Sequence, residues 1–271
     1  MKSKLALIVF SFLFISGLGS SNAYAQSAFA GFYGQVSTGY ESNQLGSLSG
    51  NATNTPNQGT DVIRSAPSQT FGGAPLVLGA GYYWQASEKW LIGLGADYSA
   101  LSQTSSSIPI SVMNVPGNNS LKSGETATLN GASMQLSNRF NLFITPAYAI
   151  DKDKLVYIKA GYSQVTAQRN QSTSLTRTAN GVSTTTAAAG GSASSNQGGY
   201  LIGLGYKQII TSGLYGFVEG NYMGYSAPSD SYSTYTPTTV SLSRSNSTRT
   251  VTTSFASLNS FQALIGLGYA F

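Results

Sequence analysis

Asp97, Arg139, Lys159, Lys207 and Glu219 are the charged residues that fall inside the apolar, glycine-rich segments of this chain, so they bound its chemistry. A base that activates a serine or a water must titrate near neutral pH, which is histidine's range. The 271 residues contain no histidine and no cysteine. The acids are few and dispersed, so no catalytic residue is assigned and no enzyme is expected. Zinc and transition metals favour His and Cys ligands, so neither a metal site nor a cofactor is expected. Asp151 and Asp153 interleave with Lys152 and Lys154, which reads as a solvated turn and not as a calcium loop. Gly93-Leu94-Gly95 lies within a strand-like stretch with no helix after it, which excludes a phosphate cradle.

The elements that hold these residues begin after a leader. Lys2 and Lys4 precede an apolar run from Leu5 to Leu18, and Ala23-Tyr24-Ala25 places small residues where a signal peptidase reads them. Residues 1–25 are expected to be a signal peptide cut after Ala25, with residues 26–271 a single domain. Two lysines leave with the leader, so twelve basic residues face nine acidic ones, with no Lys/Arg run. Nucleic acid is not an expected partner. Charged residues make up 8 % and hydrophobic residues 41 % of the chain. Soluble domains carry about 25 % charge. This composition suits a wall that faces lipid. No apolar run after the leader reaches the ~20 residues of a membrane helix, which leaves a closed barrel as the spanning structure.

Two textures alternate along the mature chain. Eight strand-like segments, rich in Gly and in aromatic and aliphatic residues, cover about 29–40, 74–85, 90–101, 132–149, 155–167, 199–210, 214–227 and 255–271. Three connections are short (86–89, 151–154, 211–213) and four are long and Ser/Thr/Asn-rich (41–73, 102–131, 168–198, 228–254). That alternation predicts an all-β, antiparallel up-and-down transmembrane barrel of eight strands, with brief periplasmic turns and four long extracellular loops. Ten to twelve strands form if loop segments pair within the membrane. Leu91-Ile92-Gly93-Leu94-Gly95 recurs as residues 201–205 and 264–268, one local solution reused in several strands.

Period-two reading separates two faces. Phe261, Ala263, Ile265, Leu267, Tyr269 and Phe271 make a lipid-facing row, and Gln262, Leu264, Gly266, Gly268 and Ala270 a small inner one. On this pattern Asp97, Arg139, Lys159 and Lys207 face inward. Glu219 shares its frame with Tyr215 and Phe217, and is placed inward because a charge facing mid-bilayer lipid costs ~2–4 kcal/mol for a base and less for an acid. The five are expected to pair with one another and with Asn141, Asn221 and Gln262. The network reads as a plug, because eight strands leave room only for side chains. The alternative is a selectivity ring in a narrow pore.

With these features the chain resembles the small outer-membrane β-barrels of the OmpA-transmembrane, OmpX and opacity-protein type. The terminal pattern carries the resemblance: Gly266, Tyr269 and Phe271 match the C-terminal strand that the barrel-assembly machinery reads, while Leu264 stands where the family often has a polar residue. The resemblance implies a bacterial outer-membrane location and outer-membrane lipid, lipopolysaccharide and the assembly machinery as partners. OmpA proper continues into a peptidoglycan-binding domain, a tether that this chain, ending at Phe271, is expected to lack. Enzymes of similar architecture (lipid A acyl-modifying enzymes, a phospholipase, the omptin proteases) rely on a histidine that is absent here. The expected function is a structural or surface-interaction barrel whose loops could meet an extracellular ligand, with Tyr232 and Tyr235 as contact candidates and the Thr184–Ser195 tract as a hydrophilic brush. A narrow porin is the second reading and a lipid-modifying enzyme a distant third.

Overall fold

A computed structural model describes residues 27–55, 59–114, 125–188, 190–237 and 246–271. The cleavage positions Ala23 and Ala25 lie outside the described residues. Everything regular among the described residues is antiparallel strand: β1 (Gly31–Leu45), β2 (Leu48–Thr55), β3 (Gly59–Ala66), β4 (Gln69–Gly73), β5 (Leu76–Gln85), β6 (Trp90–Ser99), β7 (Gln103–Thr104), β8 (Ile108–Asn114), β9 (Thr126–Asp151), β10 (Lys154–Asn170), β11 (Ser174–Ala179), β12 (Val182–Ala187), β13 (Ser192–Thr211), β14 (Leu214–Tyr225), β15 (Ser229–Pro237), β16 (Asn246–Phe255) and β17 (Leu258–Ala270).

Eight strand-like segments were expected, and each has its counterpart: β1, β5, β6, β9, β10, β13, β14 and β17. Each pairs with the next in that order. The last, β17, then pairs with β1 from Tyr33↔Ala270 to Leu45↔Leu258, so the ladder returns to its start. The three expected turns are present after Gln85, Asp151 and Thr211. Ser212 (φ 31°) and Gly213 (φ 85°) both take positive φ, the primed-turn geometry that matches strand twist in a two-residue hairpin.

The long connections differ from the expectation. They were read as loops, and among the described residues they carry nine further strands. Outside the circuit the order runs β15–β16–β2–β3–β8, on to the upper end of β9, then β11–β12. The Thr184–Ser195 tract, read as a brush, supplies part of β12 and the start of β13. Ile108-Pro109-Ile110-Ser111-Val112, with aliphatic residues at alternate positions, lies in β8. Threonine favours extended backbone, and ladder hydrogen bonds are indifferent to side-chain polarity, so Ser/Thr/Asn sequences form strands with no apolar period to betray them.

The two faces separate as the alternation requires. Leu78, Leu94, Ile158, Leu204, Val218 and Ile265 point out and are exposed, while Leu91, Leu155, Leu201 and Leu264 are buried. Of the inward glycines of the recurring motif, Gly93, Gly95, Gly205, Gly266 and Gly268 lie under a ring from a neighbouring strand, while Gly203 makes room for Asn221. A Cβ at Gly205 would sit 2.4 Å from the Tyr157 ring, and one at Gly268 2.3 Å from that of Tyr215. The motif is therefore a packing device: a missing side chain on one strand admits an aromatic from the next.

A bulge adjusts β9. The ladder to β10 shifts register between Gln164 and Thr166, where Asn138 takes φ 51°. Above it Ala132, Met134 and Leu136 are buried; below it Arg139, Asn141, Phe143 and Thr145 are. One inserted residue changes the parity, so an apolar frame and a polar frame of a single strand both face inward.

Candidate functional site

The polar interior forms in the lower frame of β9 and its counterparts. Asp97 on β6, Lys159 on β10 and Glu219 on β14 stand on different parts of the circuit and meet in its interior. The Lys159 Nζ donates to Asp97 Oδ2 at 2.6 Å and to Glu219 Oε1 at 2.9 Å. Asn141 donates to Asp97 Oδ1, Asn221 donates to Glu219 Oε1 at 2.7 Å, and the Tyr157 hydroxyl donates to Glu219 Oε2 at 2.6 Å. The ammonium also lies 3.9 Å from the centre of the Phe143 ring. Lys159 is fully buried and both acids nearly so. Glu219's whole frame faces inward, Tyr215 and Phe217 included, which resolves its mixed sequence pattern.

Arg139 makes a second cluster nearer the long connections. Its Nη1 bonds Glu41 Oε2, its Nε donates to the Tyr225 hydroxyl at 2.9 Å, and its Nη2 donates to Asn43 Oδ1 at 3.1 Å and to Ser260 Oγ at 3.0 Å. Gln262 Nε2 donates to Glu41 Oε2 at 2.7 Å, and the Tyr225 hydroxyl lies 2.7 Å from Ser163 Oγ. Glu41 lies one residue past the strand-like segment visible in the sequence, which ends at Tyr40. The strand runs on to Leu45, and Glu41 and Asn43 continue the inward alternation of Tyr33 and Ser37. That continued alternation was the signal in the sequence, hidden because its inward members turn polar.

Lys207 departs from the expected pairing. Among the described residues no carboxylate lies within 4.0 Å of it. Its ammonium donates to Gln35 Oε1 at 3.1 Å and lies within 6 Å of five ring centres, Tyr33 the nearest at 4.1 Å and Tyr215 next at 4.8 Å. The negative faces of the rings stand in for a counter-ion. Phe29, just ahead of β1, packs into the same aromatic group 5.8 Å from the Tyr215 ring, and Ser27 N donates to Gln85 Oε1 at 3.1 Å. Residues 27–29, just ahead of β1, thus cover the end of the interior near the short turns.

From that end upward the interior is filled in sequence by the aromatic group around Lys207, the Lys159 trio, the Arg139 cluster and an apolar layer containing Leu45, Phe71, Met134 and Phe255. The outer surface carries aromatics at two levels. Phe32 pairs with Tyr82 and Trp90 with Tyr148 near the short turns; Tyr98 pairs with Phe140, Tyr162 with Tyr200 and Tyr222 with Phe261 near the long connections. At about 3.3 Å per residue and a tilt of ~35–45°, Trp90 to Tyr98 spans roughly 20 Å across the wall.

Gly266, Tyr269 and Phe271 sit at the end of β17 and just past it. Tyr269 and Phe271 point outward with ring centres 5.0 Å apart, and Phe271 N donates to Phe32 O at 2.9 Å. Asp151 is bound by Lys154 at 3.0 Å across the turn, which holds its carboxyl below the ordinary value and raises Lys154. Among the described residues no group of three or more His, Cys, Asp or Glu side chains comes together.

No family model matches the chain, and no curated protein does. Solved structures similar to it include the outer membrane protease OmpT from Escherichia coli (10 % identity, 93 % of this chain and 100 % of that one, TM-score 0.44). The outer membrane protein OprG from Pseudomonas aeruginosa is similar at 12 % identity, over 90 % and 98 % of the two chains, with a TM-score of 0.43. Ail, the attachment invasion locus protein of Yersinia pestis, solved with the heparin analogue sucrose octasulfate, is similar at 11 % identity over 86 % and 99 %, with a TM-score of 0.35.

Proposed function

We propose that this chain is a non-enzymatic, eight-stranded transmembrane barrel of the bacterial outer membrane, with a lumen plugged by side chains and a surface-interaction role for its long connections. The observation that carries the reading is a ladder that returns to its own first strand while turning apolar residues outward along it. Ile158, Leu204 and Ile265 are 62–69 % exposed. Soluble monomers rarely show apolar patches beyond a few hundred Å². The same wall in lipid carries no such penalty, and a closed ladder is what the hydrocarbon demands of a β-structure. The paired levels of aromatics fit the two interfaces of a bilayer, and the spacing between them approaches the ~25 Å apolar band of such barrels.

The plug is the Lys159 and Arg139 clusters together with the rings around Lys207. Eight strands enclose little more than their own side chains, and these layers fill that space, which disfavours the narrow-porin reading. The absence of histidine supports a non-enzymatic role. Outer-membrane lipid and lipopolysaccharide would bathe the wall, and the assembly machinery would read Gly266, Tyr269 and Phe271. In planar bilayers the refolded protein is expected to give no stable unitary current, and stable steps would overturn the plug. A heat-modifiable gel band with protease-resistant strands tests insertion itself.

A further inference from the structure

We propose that the outer wall holds one anionic diacyl phospholipid of the leaflet at the short turns, its chains in a furrow across β10, β13, β14 and β17 and its phosphate between Lys89 and Lys154; this rests on the membrane-barrel reading. The ladder defines the furrow. Trp90, Tyr148, Val156, Tyr206, Val218 and Ile265 are paired in that order across six strands. Directly paired residues share a face, so they form one outward row. Five strand steps of ~4.8 Å make it roughly 24 Å long. The next row, farther from the short turns, runs Ile158, Leu204, Gly220 and Ala263. Ile158 and Leu204 stand proud of the wall, and at Gly220 and Ala263 it falls away. A Cβ at Gly220 would meet no heavy atom within 4 Å.

Between these rows the wall leaves a hollow of about 910 Å³, with Pro146 as a further small member of its lining. A second hollow of about 540 Å³ adjoins it on the short-turn side and shares Tyr206, Val218 and Ile265 with it. Small-molecule sites run to roughly 300–1,000 Å³. Both hollows are walled mainly by apolar side chains, and two that adjoin suit two flexible hydrocarbon chains on one headgroup.

The end of the row selects the headgroup. Lys89 precedes Trp90, and its Nζ lies 5.9 Å from the centre of the Tyr148 ring. Lys154 stands two residues before Val156, in the same outward frame of β10. Tyr148 on β9 therefore has a lysine on either side, on strands ~10 Å apart. Glu88 adjoins Lys89 in the chain, and Asp151 bonds Lys154 at 3.0 Å. An ammonium has three donors, so Lys154 keeps two beyond that bond. Basic groups at a membrane surface attract anionic headgroups. Short turns mark the periplasmic end of such barrels, so the chains enter from the periplasmic leaflet.

The chain has two tryptophans, so Trp84→Phe leaves Trp90, which lines the furrow, as the sole reporter. The test refolds this mature chain in phosphatidylcholine vesicles with rising fractions of phosphatidylglycerol brominated on its acyl chains, which quenches tryptophan on contact. Quenching is expected to saturate at a mole fraction about fivefold below that of random contact. Gly220→Leu/Ala263→Leu, which fills the furrow, should return it to simple proportion. Gly34→Leu, at a glycine equally open but outside the furrow, should change nothing. Lys89→Gln/Lys154→Gln should raise the half-quenching fraction about threefold, and brominated diacylglycerol, with the chains but no phosphate, should need a similarly higher fraction. Proportional quenching in the parent chain, unchanged quenching in the filled variant, or equal potency of diacylglycerol overturns the proposal. So does displacement of the brominated lipid by lipopolysaccharide, which assigns the furrow to the other leaflet's lipid. So does a cross-linked dimer that shields Trp90 and is lost in the filled variant, which assigns it to a second copy. A chain that fails to insert fails the barrel reading instead, and the heat-modifiable gel band distinguishes the two failures.

Discussion

Lys159 and Lys207 are both buried cations in one interior, and they differ in what surrounds them. Lys159 is bonded to two carboxylates. Removing it leaves Asp97 and Glu219 facing each other with no cation, and breaking a buried pair this way costs ~3–5 kcal/mol. Lys159→Met is therefore expected to lower the urea midpoint in lipid vesicles substantially. Lys207 has rings, one amide oxygen and the Tyr215 hydroxyl in place of an acid. A methionine there keeps the length and the ring contacts and removes a desolvated charge, so Lys207→Met should match or exceed the wild type in the same titration. Equal losses for the two variants would contradict the assignment of counter-ions. Four of these five charges could be placed inward from the alternation, and Glu219 by the cost of a charge in lipid. Their pairing could not be read. Which strands lie opposite one another inside a closed ladder is set by the ring, and Arg139's carboxylate came from a residue assigned to a loop.

At the scale of the element, two backbone positions decide more than their side chains suggest. Asn138 holds the positive φ of the β9 bulge. A β-branched residue there meets the Cβ–carbonyl clash of the left-handed region, ~1–2 kcal/mol, so Asn138→Val should destabilise by about that much while Asn138→Gly is tolerated. Thermal unfolding of the refolded variants would show it. Asn180 (φ 50°) and Gly181 (φ 79°) turn β11 into β12 with Ala179 paired to Val182. Gly181→Val should open that hairpin without touching the circuit, seen as faster amide exchange over Val182–Ala187 with unchanged exchange in β17. Asn-Gly is the strongest short hairpin signal a sequence offers, so β11–β12 was legible. Its flanking Thr and Ser lack the apolar alternation that marks a strand, and the same lack hides β2, β3, β15 and β16 within the long connections.

For the whole molecule, assembly and stability separate at the C-terminus. Phe271 is 79 % exposed, so its ring adds little to the folded protein's own packing. Phe271→Ser should leave the stability of vesicle-refolded protein nearly unchanged and sharply lower the amount inserted in cells, if the terminal strand is a signal to the assembly machinery. A parallel loss of both would make the residue structural. The sequence alone determined the strand positions in the circuit, the face that each turns outward and the small inner row, because period-two alternation is written into neighbouring residues and needs no partner to be read. Tertiary structure alone decided the register in which β17 meets β1, the Glu41–Arg139 pair, the aromatic surroundings of Lys207 and the strand extension of the long connections. Those depend on backbone and side-chain groups far apart in the chain, and local hydrophobicity carries no record of them. The five charges that define the interior were visible as residues, and their counter-ions only as contacts.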